Sequence, residues 1–149
     1  MPEDFIVRKQ INIRAEPAQV WAALTNPELT KKYFYGCKVY SKWEVGSPIT
    51  WRRKILWMKV ELKGRITQIE SEKRLQYTLK NTKSAKSGQP ASQSLVTDVL
   101  TYKDGVTTLS ITDDVGKGEG AEKRYRKSVK GWGKMLKDLK QLLEEQKTA

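Results

Sequence analysis

The chain has no histidine among its 149 residues and one cysteine, Cys37. Without histidine there are no Ser–His or Cys–His nucleophile pairs, no histidine general bases and no imidazole-containing metal sites. A lone cysteine excludes an internal disulfide, leaves too few thiolates for a zinc site and is at home in a reducing compartment. No run is long and apolar enough to span a bilayer. The opening segment MPEDFIVRKQ is acidic and then strand-like, unlike a signal or transit peptide. These absences lead us to expect a cytoplasmic protein with no metal and no cofactor. Any catalysis would fall to carboxylates, lysine, tyrosine or bound water.

Acidic residues are also in short supply: 29 Lys and Arg face 17 Asp and Glu, for a formal net charge of +12. Such an excess favours nucleic acid, an anionic membrane or an acidic protein face, unless it serves solubility alone. At 31% charged and 38% apolar residues the composition is that of a soluble globular protein. One domain over residues 1–149, with a sizeable core, is the expectation.

Period-two alternation marks the strands. In FIVRKQINI, Phe5, Val7, Lys9, Ile11 and Ile13 share a face. Two short helices follow in AEPAQVWAALTNPELTKKYF, with Pro17 suited to a first helical position and Asn26-Pro27 to a cap followed by proline. VGSP is a turn that opens a long strand, ITWRRKILWMK, in which Ile49, Trp51, Arg53, Ile55 and Trp57 are in phase. Val60, Leu62, Gly64 and Ile66 are in phase in the next strand, and Leu75, Tyr77 and Leu79 in the one after. NTKSAKSGQPASQS is polar and aperiodic, a loop. LVTDVLTYKDGVTTLSITDD is a hairpin turning at KDG, with Leu109 and Ile111 on one side of its second strand.

From about Glu119 to Gln146 the period changes to that of an amphipathic helix. At roughly 100° per residue, Tyr125, Val129, Met135, Leu136, Leu139, Leu142 and Leu143 fall within about 80° of Trp132. Lys123, Lys127, Lys130, Lys134 and Lys137 lie opposite. Gly131 and Gly133 flank Trp132 on the two shoulders, although an interior glycine costs about 1 kcal/mol relative to alanine. They suggest a thinned helix that a curved sheet wraps closely, or else glycines that are exposed and tolerated. The element order gives an α+β protein in which one long helix covers a large antiparallel sheet. A single helix leaves part of such a sheet uncovered, so a cavity between them is expected.

Four segments, in this order, resemble a known family: INIRAEPAQVWAALTNPELTKKYF, WEVGSPITWR, TLSIT and SVKGWGKMLKDLKQLLE. Together they are similar to START-like (SRPBCC) domains of the heat-shock protein 90 ATPase activator homologue type, and the resemblance runs from about Phe5 to Glu145. It implies a helix-grip fold, as in the birch-pollen allergen: a curved antiparallel sheet around a long C-terminal helix, with two short helices after the first strand. Members of the superfamily bind lipids, sterols, polyketides or other hydrophobic molecules, and some catalyse cyclisation or hydrolysis. The resemblance carries no shared catalytic motif.

Three functions follow in order of preference. The first is binding of a small hydrophobic ligand, with or without an anionic head group, between sheet and C-terminal helix. The second is a chaperone-associated or stress-related interaction module with an acidic protein partner, and the third a cyclase- or hydrolase-like enzyme acting on an apolar substrate. A large cavity would favour the first and a filled core the second. Trp51, Ile55, Trp57 and Leu62 from the middle strands form one candidate wall. Tyr77, Leu109, Trp132 and Leu136 form the other, and all of these are equally suited to ordinary core filling. Arg53 sits among apolar neighbours, where an unpaired charge is costly. It could anchor an anionic head group, pair with Asp98, Asp113 or Glu119, or be turned outward by a bulge. Asp113 and Asp114 are adjacent, point to opposite faces of a strand and so form no catalytic dyad. Nucleic acid is not an expected partner, because the lysine face comes with no helix-turn-helix, zinc or single-strand-binding signature. GKGEG lacks the pattern of a phosphate loop.

Overall fold

The computed structural model describes residues 5–81, 92–116 and 118–146. The element order is β1 (Ile6–Ile13), α1 (Pro17–Thr25), α2 (Pro27–Tyr33), β2 (Lys38–Ser41), β3 (Pro48–Ile55), β4 (Met58–Glu70), β5 (Arg74–Asn81), β6 (Ser92–Lys103), β7 (Val106–Asp114) and α3 (Ala121–Gln146). The strands form one antiparallel sheet in the order β1-β7-β6-β5-β4-β3-β2. With α3 lying against it, this is the α+β helix-grip fold. Residues 82–91, most of the polar stretch read as a loop, lie outside the described residues.

Local chemistry explains where the elements begin and turn. Glu16 and Gln19 form a capping box on α1, with Pro17 at its first position. The Asn26 side chain accepts from the Glu28 N–H at 2.9 Å, capping α2 ahead of Pro27. Asp104 and Gly105 both have positive φ, 51° and 81°, which suits the two-residue turn joining β6 to β7. The sheet's edges are partly occupied. Thr30 Oγ1 on α2 accepts from the Val39 N–H of β2 at 3.1 Å, and Lys140 on α3 donates to the Asn12 carbonyl of β1 at 2.6 Å.

The inward phase of each strand builds the core. Val7, Ile13, Val39, Ile49, Trp51, Ile66, Leu75, Tyr77, Val96, Leu109 and Ile111 are buried against Trp132, Met135, Leu136, Leu139 and Leu143 of α3. The helix stripe read from the sequence is therefore the packed stripe.

Two expectations need correction. ITWRRKILWMK is not one strand: β3 ends at Ile55, Leu56 and Trp57 make a turn, and β4 starts at Met58. Leu56 carries the positive φ, 56°, that such a turn needs and that glycine normally supplies. The two helix glycines are not gripped by sheet backbone. A Cβ on Gly131 would meet only the Tyr35 hydroxyl, at 2.6 Å, and one on Gly133 only Lys9 Nζ, at 3.9 Å. Close backbone approach occurs at Gly64 instead, where a Cβ would collide with the Thr78 carbonyl of the neighbouring strand.

Candidate ligand site between sheet and helix

The cavity expected from the fold lies where the apolar stripe of α3 crosses the middle of the sheet. Its floor is Leu75 and Tyr77 of β5, Asp98 of β6, and Leu109 and Ile111 of β7. Trp132, Met135, Leu136 and Leu139 of α3 form the roof, and Leu24, Tyr33, Phe34 and Trp51 close one end. Its volume is about 20 Å³, counted as room for the centre of a water molecule. That is enough for a water, where pockets that hold drug-sized ligands measure roughly 300–1,000 Å³.

Aromatic packing accounts for the small volume. Phe34 stacks on Trp51 with ring centroids 5.5 Å apart and an interplanar angle of 13°, and Trp51 meets Tyr77 at 5.0 Å. Phe34 also stands edge-on to Trp132 at 6.3 Å. These rings occupy space that a single helix leaves open over a wide sheet.

Asp98 is the exception to an otherwise apolar and aromatic lining. Its residue is 3% exposed, and in the sheet it lies between Leu75 of β5 and Ile111 of β7. One carboxyl oxygen, Oδ1, has no hydrogen-bond partner. Burial, with a smaller contribution from the negative charge of Asp113, raises its pKa from 3.8 to about 7. The acid is thus substantially protonated near neutrality and can both donate and accept. Tyr33 donates to the Ala23 carbonyl at 2.7 Å. Burial first, then the nearby Asp98, pushes the phenols of Tyr33 and Tyr77 upward, so both stay neutral.

A second buried acid ties sheet to helix. Asp113 Oδ2 accepts from Ser128 Oγ at 2.5 Å and from the Trp132 indole N–H at 2.9 Å. Desolvation raises its pKa, and these two hydrogen bonds work in the opposite direction. Asp114 is exposed and accepts from the Gly116 N–H at 3.0 Å. The two neighbours do point opposite ways, and the inner one holds Trp132 in place.

Of the residues picked from sequence, Trp51, Tyr77, Leu109, Trp132 and Leu136 come together around this cavity. Leu62 is partly buried and packs on the core without reaching the cavity. Ile55 ends β3, and its side chain lies outside the described part of the structure. The inward placement of Arg53 and Trp57 is corrected. Trp57 is a turn residue, 87% exposed. Arg53 keeps the phase of Trp51, but its side chain is exposed and donates to the Tyr35 carbonyl at 2.9 Å. It pairs with none of Asp98, Asp113 or Glu119 through any ion pair among the described residues.

Sequence reasoning considered Asp98 only as a partner for Arg53. In LVTDVLTY both phases carry apolar residues, so alternation alone does not say which set faces inward. Pairing with β7, whose inward set is clear, would have placed Val96, Asp98 and Leu100 inside. Among the described residues no group of three or more Cys, Asp or Glu side chains is placed to hold a metal, and no helix is long and apolar enough to cross a membrane. Cys37 is buried, and burial raises its thiol pKa, which keeps it in the unreactive form.

Comparison with known proteins agrees with this architecture. A family model described as "Activator of Hsp90 ATPase homolog 1-like protein" matches residues 14–144. No curated protein matches the chain. Among solved structures, the chain is similar to ChR145 from Cytophaga hutchinsonii, at 32% identity and a TM-score of 0.79, with 100% of each chain covered. Protein MLL2253 from Mesorhizobium loti is 25% identical with a TM-score of 0.78, covering 94% of this chain and 97% of the other. The Aha1 dimer from Colwellia psychrerythraea, at 17% identity and a TM-score of 0.68 over 93% of this chain and 96% of that one, shares the fold.

Proposed function

Because this chain belongs to the Activator of Hsp90 ATPase homolog 1-like family, a branch of the START-like superfamily, we propose that it binds a small, mainly apolar molecule between the sheet and α3, around Asp98. The observation that carries this reading is the carboxyl itself. Asp113 Oδ1 is also buried without a partner, but that acid is accounted for by its bonds to Ser128 and Trp132, whereas Asp98 faces the cavity among Leu75, Tyr77 and Ile111. A perturbed acid in a mostly apolar site is the usual sign of a polar anchor for a ligand.

Asp98 also changes the expected ligand chemistry. With Arg53 outside, the internal anchor is an acid, and an ionised carboxylate ligand would be repelled once Asp98 ionised. A neutral hydroxyl, phenol or amide fits, since it can exchange hydrogen bonds with a protonated carboxyl. At about 20 Å³ the cavity is closed to anything larger than water. Binding therefore requires side chains to move, and Met135 in the roof is the most adaptable of them.

The small volume taken alone favours a second reading, an interaction module that works through its surface in the manner the family's name suggests. Native mass spectrometry separates the two. Retention of a small molecule by the wild-type protein, and its loss from Asp98→Val, supports the ligand site. A wild-type protein of bare chain mass that also fails to take up any of a panel of small phenols and alcohols supports the surface module.

A further inference from the structure

The β3–β4 hairpin combines three features that work against stability at a single place. Its tip exposes three consecutive apolar residues: Leu56 is 90% exposed, Trp57 87% and Met58 53%. Leu56 holds a left-handed backbone, φ 56°, that a leucine adopts only under strain. Immediately behind the tip, Lys54 and Lys59 are register partners, a like-charge pair set directly across the strands. None of these features contributes to the core, and a turn of Asn-Gly with polar flanks would serve the fold better.

The charge behind the tip is consistently positive. An open groove of about 530 Å³ beside the hairpin is lined by Lys38, Arg52, Arg53, Lys54 and Lys59, together with Gly36 and Tyr40. Arg52 lies over the Tyr40 ring at 5.5 Å. Two acids offset part of this charge: Glu61 pairs with Arg52 at 3.1 Å and Lys59 at 3.6 Å, and Glu28 pairs with Lys38 at 3.3 Å. Leu56 follows Trp51 by five residues, about 16 Å along a strand, so the tip projects past the end of the packed core.

We propose that this hairpin is a docking finger for an anionic membrane surface. Leu56, Trp57 and Met58 enter the interfacial layer, and Lys54, Lys59 and the groove cations meet the lipid headgroups. Tryptophan at a protruding end prefers the boundary between headgroups and acyl chains, and lysines behind it can keep their ammonium groups in water. By register Lys38, Arg52, Lys54 and Lys59 share one face of the finger behind the apolar tip, so a tip inserted into the interfacial layer brings a single cationic face against the anionic headgroups. Neither signal suffices alone, since a few apolar residues or a few charges bind weakly, but the two together make stable peripheral attachment.

The test is co-sedimentation of the full chain with phosphatidylcholine–phosphatidylglycerol vesicles and with phosphatidylcholine alone. Wild-type protein should bind the anionic vesicles and not the neutral ones, and binding should fall steeply toward about 1 M salt, where screening is nearly complete. Leu56→Asn combined with Trp57→Ser keeps a residue that tolerates the turn and should lose at least about tenfold in partitioning, with an unchanged melting temperature. Lys54→Gln and Lys59→Gln should each cost about fivefold. A wild-type protein that ignores anionic vesicles overturns the proposal. So does a tip variant that binds as well as wild type, which would leave only the general positive charge. Equal binding to neutral vesicles would reduce the tip to a sticky patch. Binding to soluble polyglutamate through the same residues, without vesicle binding, would make the finger a protein contact.

Discussion

Replacing Asp98 by asparagine keeps the shape of the side chain and removes its titration, which allows the pH dependence of stability to report on this one group. The folded-state pKa of Asp98 lies near 7 and the ordinary value is 3.8. The folded protein therefore holds the proton more tightly than the unfolded chain. The stability contributed by the protonated acid is fully present below the unfolded pKa and is lost as pH rises through the folded one. Between about pH 5 and pH 8.5 the loss amounts to about 3 kcal/mol. Asp113 shifts in the same direction and is present in both proteins, so the comparison removes its contribution apart from its coupling to Asp98. Exposed Glu28 and half-buried Glu61 and Glu144 have lowered pKa values from their lysine and arginine partners or, for Glu144, chiefly from the Arg14 backbone N–H. Their effect is lost as pH falls and lies below this window. Urea melts of both proteins across the range should show wild type weakening relative to Asp98→Asn by about 3 kcal/mol toward alkaline pH. Parallel curves would mean that Asp98 ionises normally, and the polar anchor proposed for the cavity would lose its basis.

The two kinds of glycine give opposite expectations. Gly133 faces nothing closer than the mobile end of Lys9, so Gly133→Ala should stabilise the protein by about 1 kcal/mol through helix propensity, seen as a higher urea midpoint at constant slope. Gly64 lies against the Thr78 carbonyl, so Gly64→Ala should cost at least about 2 kcal/mol or prevent folding; a variant as stable as wild type in the same melts would show that the strands can separate there at little cost.

The fold was legible because its signals are local and redundant. Asn26-Pro27, Asp104-Gly105 and the stripe from Tyr125 to Leu143 each specify an element without help from distant residues. The end of β3 was not legible. Leu56 and Trp57 have no turn chemistry, and an apolar run across a turn has the alternation of one longer strand. Arg53 shows a related limit: periodicity gives a side chain's phase, while its cover depends on which other elements pack there, which no pattern within β3 contains. Five residues of the cavity wall, Trp51, Tyr77, Leu109, Trp132 and Leu136, emerged from the sequence. Asp98 did not, because the inward face of β6 is settled only by its pairing with β5 and β7.

The most direct test of a site around Asp98 is carbon-detected NMR of the aspartate carboxyls during titration with phenol and, in parallel, with benzene. A saturable shift of the Asp98 carboxyl with phenol, accompanied by shifts in Tyr33, Tyr77 and Met135 and larger than any produced by benzene, is the result this account predicts. Phenol-induced shifts confined to surface residues, with the Asp98 signal unmoved at saturating concentration, would contradict it.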